Sequence, residues 1–293
     1  MLRKLREFEY FEPSNLSEAV SLLDKYGEEA KILAGGTDLL VWMKEGARSP
    51  KYMINIKHIP GVRHIHFSEA EGLRIGALTT VREIETADII KEKFNGLHQA
   101  AKELASIQVR NLATIGGNLS TASPAAELAP PLLALGARVK LRGLRGERVL
   151  PLEEFFQGPG STAIDREILT EIVVPPPEPK SFSLYKSISR RNAVDLAIVG
   201  VAVAGRIDSK AGEWKTVKIA LGAVAPTPMR ALMAEKLLAG KKVDAGIIAE
   251  AARTASEEAR PITDLRASAW YRKEMITVLV RRSLEEISSK ERG

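Results

Sequence analysis

Lys31-Ile32-Leu33-Ala34-Gly35-Gly36-Thr37-Asp38 is a short apolar strand that runs straight into a glycine pair, a hydroxyl residue and the start of a helix. A second glycine pair, in Thr114-Ile115-Gly116-Gly117-Asn118, follows about eighty residues later. Successive backbone N–H groups with no Cβ in the way can gather around a phosphate. In the first loop Thr37 adds an O–H donor, and the helix beginning near Asp38 adds its positive end. Asp38 itself repels phosphate and reads as a helix cap. One glycine pair is ordinary turn chemistry. The second is different, because Thr114, Asn118, Ser120, Thr121 and Ser123 surround it with more small polar groups than a turn requires. The spacing excludes a single local loop and points to two loops converging on one anionic, dinucleotide-like ligand. The Rossmann fingerprint G-x-G-x-x-G and the P-loop G-x-x-x-x-G-K-[ST] are both absent from the sequence.

Working outward, Ser17 is a candidate N-cap for a helix through Tyr26, with Gly27 as its stop. Leu39 to Glu45 reads as a helix ended by Gly46 and Tyr52 to Ile56 as a strand, so residues 1–57 form a small α+β subdomain. From His64 the pattern changes to paired strands, His64 to Ser68 and Leu73 to Ala77. Thr80 and Glu83 make a capping box. Helical stretches Gly96 to Ala105 and Ala125 to Leu135, with strands Ala137 to Leu141 and Ile168 to Val174, complete a unit over 58–178. In the run Val174-Pro175-Pro176-Pro177-Glu178-Pro179 the prolines lack the donors a ladder needs, which marks a boundary. Beyond it, residues 179–293 read as a C-terminal α+β domain. Its strands are Phe182 to Ile188, Ala197 to Ile207 and Val217 to Val224, and its helices are Met229 to Leu238, Asp244 to Ala259 and Ser268 to Ile287.

The 293 residues carry 43 basic against 37 acidic side chains, a formal charge of +6. Basic tracts interleaved with stacking aromatics are missing, which argues against nucleic acid and for a solvated basic face or an acidic partner. Cysteine is absent, so the chain has no disulfide and no iron–sulfur ligation by its own thiolates. His64 and His66 share one face of a strand but lack further ligands, so no metal site is expected. The charged start, Met1-Leu2-Arg3-Lys4, has no apolar core of a secretory signal, and no apolar run reaches transmembrane length. A cytoplasmic location is the expectation.

Five strings, Lys31 to Asp38, Ile75-Gly76-Ala77, Ala113 to Leu128, Glu167-Ile168-Leu169 and Lys186 to Asp195 (KSISRRNAVD), together resemble the FAD-containing medium subunit of molybdenum hydroxylases, the xanthine dehydrogenase and carbon monoxide dehydrogenase relatives. The resemblance spans essentially the whole chain in order. It implies an α+β architecture: the two-subdomain FAD-binding fold of the vanillyl-alcohol oxidase type, followed by a C-terminal α+β domain. It further implies that Lys31, Ile32, Leu33, Ala34, Gly35, Gly36, Thr37 and Asp38, with Ala113, Thr114, Ile115, Gly116, Gly117 and Asn118, hold the pyrophosphate region of FAD. Thr121 and Glu127 would reach the cofactor from the second loop, and Leu104 and Leu169 would supply apolar and backbone contacts. Lys186 would sit near the flavin, with Asp195 and Leu196 close to the isoalloxazine. Two positions depart from the pattern: relatives often carry Asp where Glu127 stands, and some carry an aromatic residue in place of Leu196.

What the resemblance implies is electron transfer rather than acid–base catalysis. A large molybdenum-cofactor subunit would oxidise the substrate and a small 2Fe-2S subunit would relay electrons. This chain, holding FAD non-covalently, would reduce NAD+, oxygen or a quinone, within a dimer of heterotrimers. Relatives acting on benzoyl-CoA-type substrates carry an extra cysteine-ligated cluster in this subunit, which zero cysteines exclude here. Two rivals are a free-standing flavin oxidoreductase, which needs a His or Tyr constellation not evident in the sequence, and a scaffold subunit that has lost FAD.

Overall fold

A computed structural model of the protein describes residues 4–191 and 194–290. Met1, Leu2 and Arg3 at the charged start, and Asn192 and Ala193 within KSISRRNAVD, lie outside the described residues.

Three main sheets follow one another along the chain. The first is parallel, in the order Glu9–Phe11, Tyr52–Asn55, Ala30–Leu33. Parallel strands need crossovers: the helix Leu39–Glu45 joins Ala30–Leu33 to its neighbour Tyr52–Asn55, and the two outer strands are joined by the helix Leu16–Tyr26, which buries Ala19, Val20 and Leu23 against Ala30 and Ile54. That helix starts two residues earlier than the Ser17 cap implies. Asn15 is the N-cap, its Oδ1 accepting from Glu18 N at 2.9 Å, so an equally good capping residue upstream takes the role.

The second sheet is antiparallel, in the order Ile65–Ser68, Gly72–Gly76, Ile168–Val174, Arg138–Gly143, Gly146–Pro151. Leu73, Ile75, Val139, Leu141 and Ile172 alternate onto one face and pack in a common core with residues of the helix Asn95–Glu103. On Arg74, Lys140 and Glu171 the opposite parity carries charge, and Arg74 Nη2 pairs with Glu171 Oε2 at 2.8 Å. His64 binds the same carboxylate, Nε2 to Oε1 at 3.0 Å; among the described residues no metal-ligating cluster forms. The expected helix Ala125 to Leu135 shortens to Ala129–Ala134, because Pro130 and Pro131 are tolerated only in its first turn.

The third sheet is antiparallel, in the order Phe182–Ile188, Val199–Asp208, Glu213–Gly222, Met229–Arg230. Its two faces differ in residue size. Val199, Val201, Val203, Ile219 and Leu221 face the helices Leu232–Leu238, Ala245–Glu258 and Ala269–Lys290. Ala202, Ala204 and Ala220 join the core of the second unit, where helices Asn95–Glu103 and Ala129–Ala134 lie against the sheet. Small side chains on that face let the helices approach closely: a Cβ on Gly96 would stand 3.1 Å from Leu184 N. Met229 and Arg230, expected in a helix, instead pair with Leu221 and Ala220 as a short edge strand. Among the described residues no helix is long and apolar enough to cross a membrane.

Candidate functional site

The first glycine pair meets the chain just ahead of the second. A Cβ on Gly35 would fall 2.2 Å from the backbone oxygen of Leu112 and 3.0 Å from Ala113 Cα. Glycine at this position is therefore what lets the first loop close on the second. Gly36 has φ +80°, the left-handed turn that carries the strand into the helix Leu39–Glu45.

The second pair is not a loop. Ile115–Ser120 is a short helix capped by Thr114, whose Oγ1 accepts from Gly117 N at 3.1 Å. Ile115 N donates to Thr79 O, Gly116 N to Ala77 O and Asn118 N to Thr114 O. These donors are thus engaged by the protein itself. By contrast, the N–H groups of Gly35, Gly36 and Thr37 have no acceptor among the described residues. The donors for an anion come from the first loop, and the second pair contributes shape. Gly116 is needed for packing, since a Cβ would stand 2.7 Å from Ala77 Cβ. Gly117 is not: its Cβ would meet only Thr114 Oγ1, at 3.0 Å, and would otherwise project into open space.

That space is a cavity of about 1600 Å³, well above the roughly 300–1,000 Å³ of common small-molecule pockets. Of the residues singled out from sequence, Lys31, Ile32, Ala34, Gly35, Gly36, Thr37, Asp38, Leu104, Ala113, Thr114, Gly116, Gly117, Asn118, Thr121, Glu127, Leu169, Asp195 and Leu196 line it. Three do not. Leu33 and Ile115 are buried in apolar clusters, and Lys186 Nζ pairs with Glu286 Oε2 at 2.7 Å on the C-terminal helix. Asp38 occupies the N-cap position but makes no side-chain cap bond, correcting its reading as a cap; its carboxyl accepts a hydrogen bond from Thr37 instead.

Sequence reasoning missed several stretches of the wall, among them Gly27 to Ala30, Trp42 with 47–51, Gly160 to Thr162 with 164–166, and Arg190-Arg191 with Leu265-Arg266. Gly160-Ser161-Thr162 repeats the glycine-then-hydroxyl signal at small scale, and Arg190-Arg191 lies within KSISRRNAVD. The others carry no local signal.

The electrostatics are set by burial. Desolvation raises the Asp38 and Glu103 carboxyls above their ordinary range, against hydrogen bonds from Thr37 and Ser187. Glu127 goes furthest, to about 7, through burial and then the charges of Asp38 and Glu103. Burial also pushes Asp195 up, but Leu196 N–H and the flanking Arg191 and Arg190 hold it below the usual value. Two acceptors in the wall, Asn118 Oδ1 and Asp195 Oδ2, are buried without a hydrogen-bond partner among the described residues, a state that calls for a donor, although Arg190 Nε and Arg191 Nε stand 3.9 and 3.7 Å from Asp195 Oδ2. Strain gathers here as well: Ala105, Arg166 and Val194 line the cavity with positive φ, and Val194 at +54° is β-branched. Arg110 steadies the Ala105 turn, donating from Nη1 to Leu104 O at 2.9 Å while Nε binds Glu85 at 2.8 Å.

Free N–H donors, a Cβ-less concavity and orphaned acceptors suit an elongated anionic ligand carrying its own donors, as a flavin dinucleotide does. Comparison with known proteins gives the same answer. Residues 6–177 match the family described as the FAD binding domain in molybdopterin dehydrogenase, and residues 183–287 the CO dehydrogenase flavoprotein C-terminal domain. The chain is 35% identical over 283 residues to the glyceraldehyde dehydrogenase medium chain of Sulfolobus acidocaldarius, covering 96% of this chain and 99% of that one. Among solved structures, it superposes on a carbon monoxide dehydrogenase chain from Hydrogenophaga pseudoflava with a TM-score of 0.92, 34% identity and 96% of both chains covered. For quinoline 2-oxidoreductase from Pseudomonas putida 86 the TM-score is 0.90, at 26% identity and 99% of both chains.

Proposed function

This chain belongs to the FAD-binding, medium-subunit type of the molybdenum hydroxylase family, and on that premise we propose that it holds one FAD non-covalently and passes electrons from a 2Fe-2S subunit to NAD+, oxygen or a quinone. The observation that carries this reading is the seating of Gly35 on the Leu112 backbone, with the free N–H groups of the first loop and the open face of Gly117 lining one cavity. Gly35, Gly36 and Thr37 then hold the pyrophosphate. Asn118, Thr121 and Glu127 line the middle of the cofactor, and Leu104 and Leu169 exclude water from the flavin. Asp195 Oδ2 accepts a donor of the ring system, held in place by Leu196 N–H at 3.0 Å to its other oxygen. Bound FAD supplies one- and two-electron redox chemistry, joining single-electron carriers to a two-electron acceptor.

On this reading residues 1–57 and 58–178 are the two FAD-binding subdomains and 179–293 the C-terminal domain. Substrate oxidation belongs to a large molybdenum-cofactor partner, in a cytoplasmic dimer of heterotrimers. Purification of the tagged chain from its native cell tests the assignment. Two further chains should accompany it, with molybdenum, iron and one FAD per copy. A yellow chain that purifies alone and oxidises a small substrate by itself would overturn it in favour of a free-standing oxidoreductase.

A further inference from the structure

We infer that Trp42 and Arg48 form the seat of the adenine ring, making them the residues by which the site prefers FAD to FMN; this rests on the FAD reading above. Trp42 lies one helical turn beyond Asp38 in Leu39–Glu45, about 6 Å along the axis, within reach of a dinucleotide anchored at Gly35–Thr37. Both Trp42 and Arg48 line the cavity. Their pairing is built into the backbone. Gly46 ends the helix in the left-handed region, at φ +80°, and turns the chain back so that Ala47 N and Arg48 N both donate to Trp42 O, at 2.8 and 3.2 Å. The Arg48 guanidinium then stands 6.0 Å from the Trp42 ring centroid.

With the guanidinium laid over one face of the indole, the outer face of the planar guanidinium and the far face of the indole are the π-surfaces on which a purine can stack. The same stretch of wall carries Lys51, paired with Glu29, and Lys31, so it suits a base attached to a phosphate chain. The flavin has its own place by Asp195 and Leu196, where no aromatic residue lines the described wall.

The test measures FAD and FMN affinities of the flavin-stripped full chain by fluorescence titration, for wild type, Trp42→Ala, Trp42→Phe and Arg48→Ala. FMN contains the flavin and one phosphate but no adenylate. Loss of stacking should weaken FAD binding at least about tenfold in Trp42→Ala and leave FMN affinity unchanged. Trp42→Phe should retain most of the preference, and Arg48→Ala, at an exposed position, should lose about half of it on a logarithmic scale. An FAD-to-FMN ratio equal to wild type in both Trp42→Ala and Arg48→Ala overturns the inference and leaves the FAD reading standing. Failure of the wild-type chain to bind either flavin overturns both.

Discussion

Replacing Glu127 with glutamine removes a titration while keeping the shape of the side chain. Burial and the Asp38 and Glu103 charges hold the Glu127 carboxyl at about 7 against an ordinary 4.5, so the folded chain retains a proton that the unfolded chain releases. A raised carboxyl pKa lowers stability as pH rises. Below about pH 4.5 both states are protonated and nothing is lost; the loss accumulates up to about pH 7 and is constant above it. Full ionisation costs about 3 kcal/mol, of which about 1.4 is already felt at pH 5.5. Between pH 5.5 and 8.5 the wild-type protein should therefore lose about 2 kcal/mol relative to E127Q. Urea unfolding of the flavin-free protein at the two pH values reads this directly, because the difference between variants cancels the other titrating groups. The same gap at both pH values would refute the placement of a desolvated carboxyl in this wall.

Three further substitutions probe the scaffold. Arg110→Met removes the buried partner of Glu85, which keeps Arg82 at 3.0 Å, and frees Leu104 O, which should cost about 1–3 kcal/mol in chemical unfolding and weaken FAD uptake at a temperature where the variant stays folded. Gly35→Ala drives a Cβ against the Leu112 backbone oxygen; neither backbone can yield without opening the site, so a loss of about 3 kcal/mol or more is expected by thermal and urea melts. Asp264 is held at about 2, where burial raises its pKa but Arg266 N–H, Ala267 N–H and Arg272 outweigh it. Its contribution is present above about pH 4 and disappears as pH falls towards 2, so D264N should melt below wild type at pH 7 and converge with it near pH 2.

Period and punctuation made much of the fold legible. The strands Ile168–Val174 and Phe182–Ile188 lie where the sequence placed them, Thr80 and Glu83 form the capping box that their spacing announced, and the proline run separates the second and third sheets. The strand read over Ala197 to Ile207, observed as Val199–Asp208, is rich in apolar residues because both its faces are buried, and sequence alone could not say that valines meet helices while alanines meet the second unit. The glycine pairs were visible, but not their different reasons. Gly35 and Gly116 are fixed by contacts with Leu112 and Ala77, residues that only the fold brings near. Thr114 was seen as a phosphate donor, whereas its hydroxyl caps its own helix. Lys186 is a case in which Glu286, a partner one hundred residues away, decides where the cation goes. Trp42, Gly160 and Arg266 reach the cavity through tertiary convergence and leave no periodic trace.

The most direct measurement is FAD uptake by Gly117→Leu beside wild type. Gly117 is the one glycine of the two pairs with neither a positive φ nor backbone in the path of a Cβ; the Cβ presses only on the Thr114 Oγ1 cap, and the loss of that cap, about 1 kcal/mol, offsets the better helix propensity of leucine, so the variant should fold with an unchanged circular dichroism spectrum and a melting temperature near that of wild type. Its side chain projects into the cavity. Wild type is predicted to retain one FAD per chain after desalting, and the folded variant to bind at least about a hundredfold more weakly, the roughly 3 kcal/mol lost when a bulky group displaces a ligand from a close-packed site. A folded Gly117→Leu that takes up FAD as well as wild type, or a wild-type chain that retains none, would contradict the assignment of this cavity to the flavin.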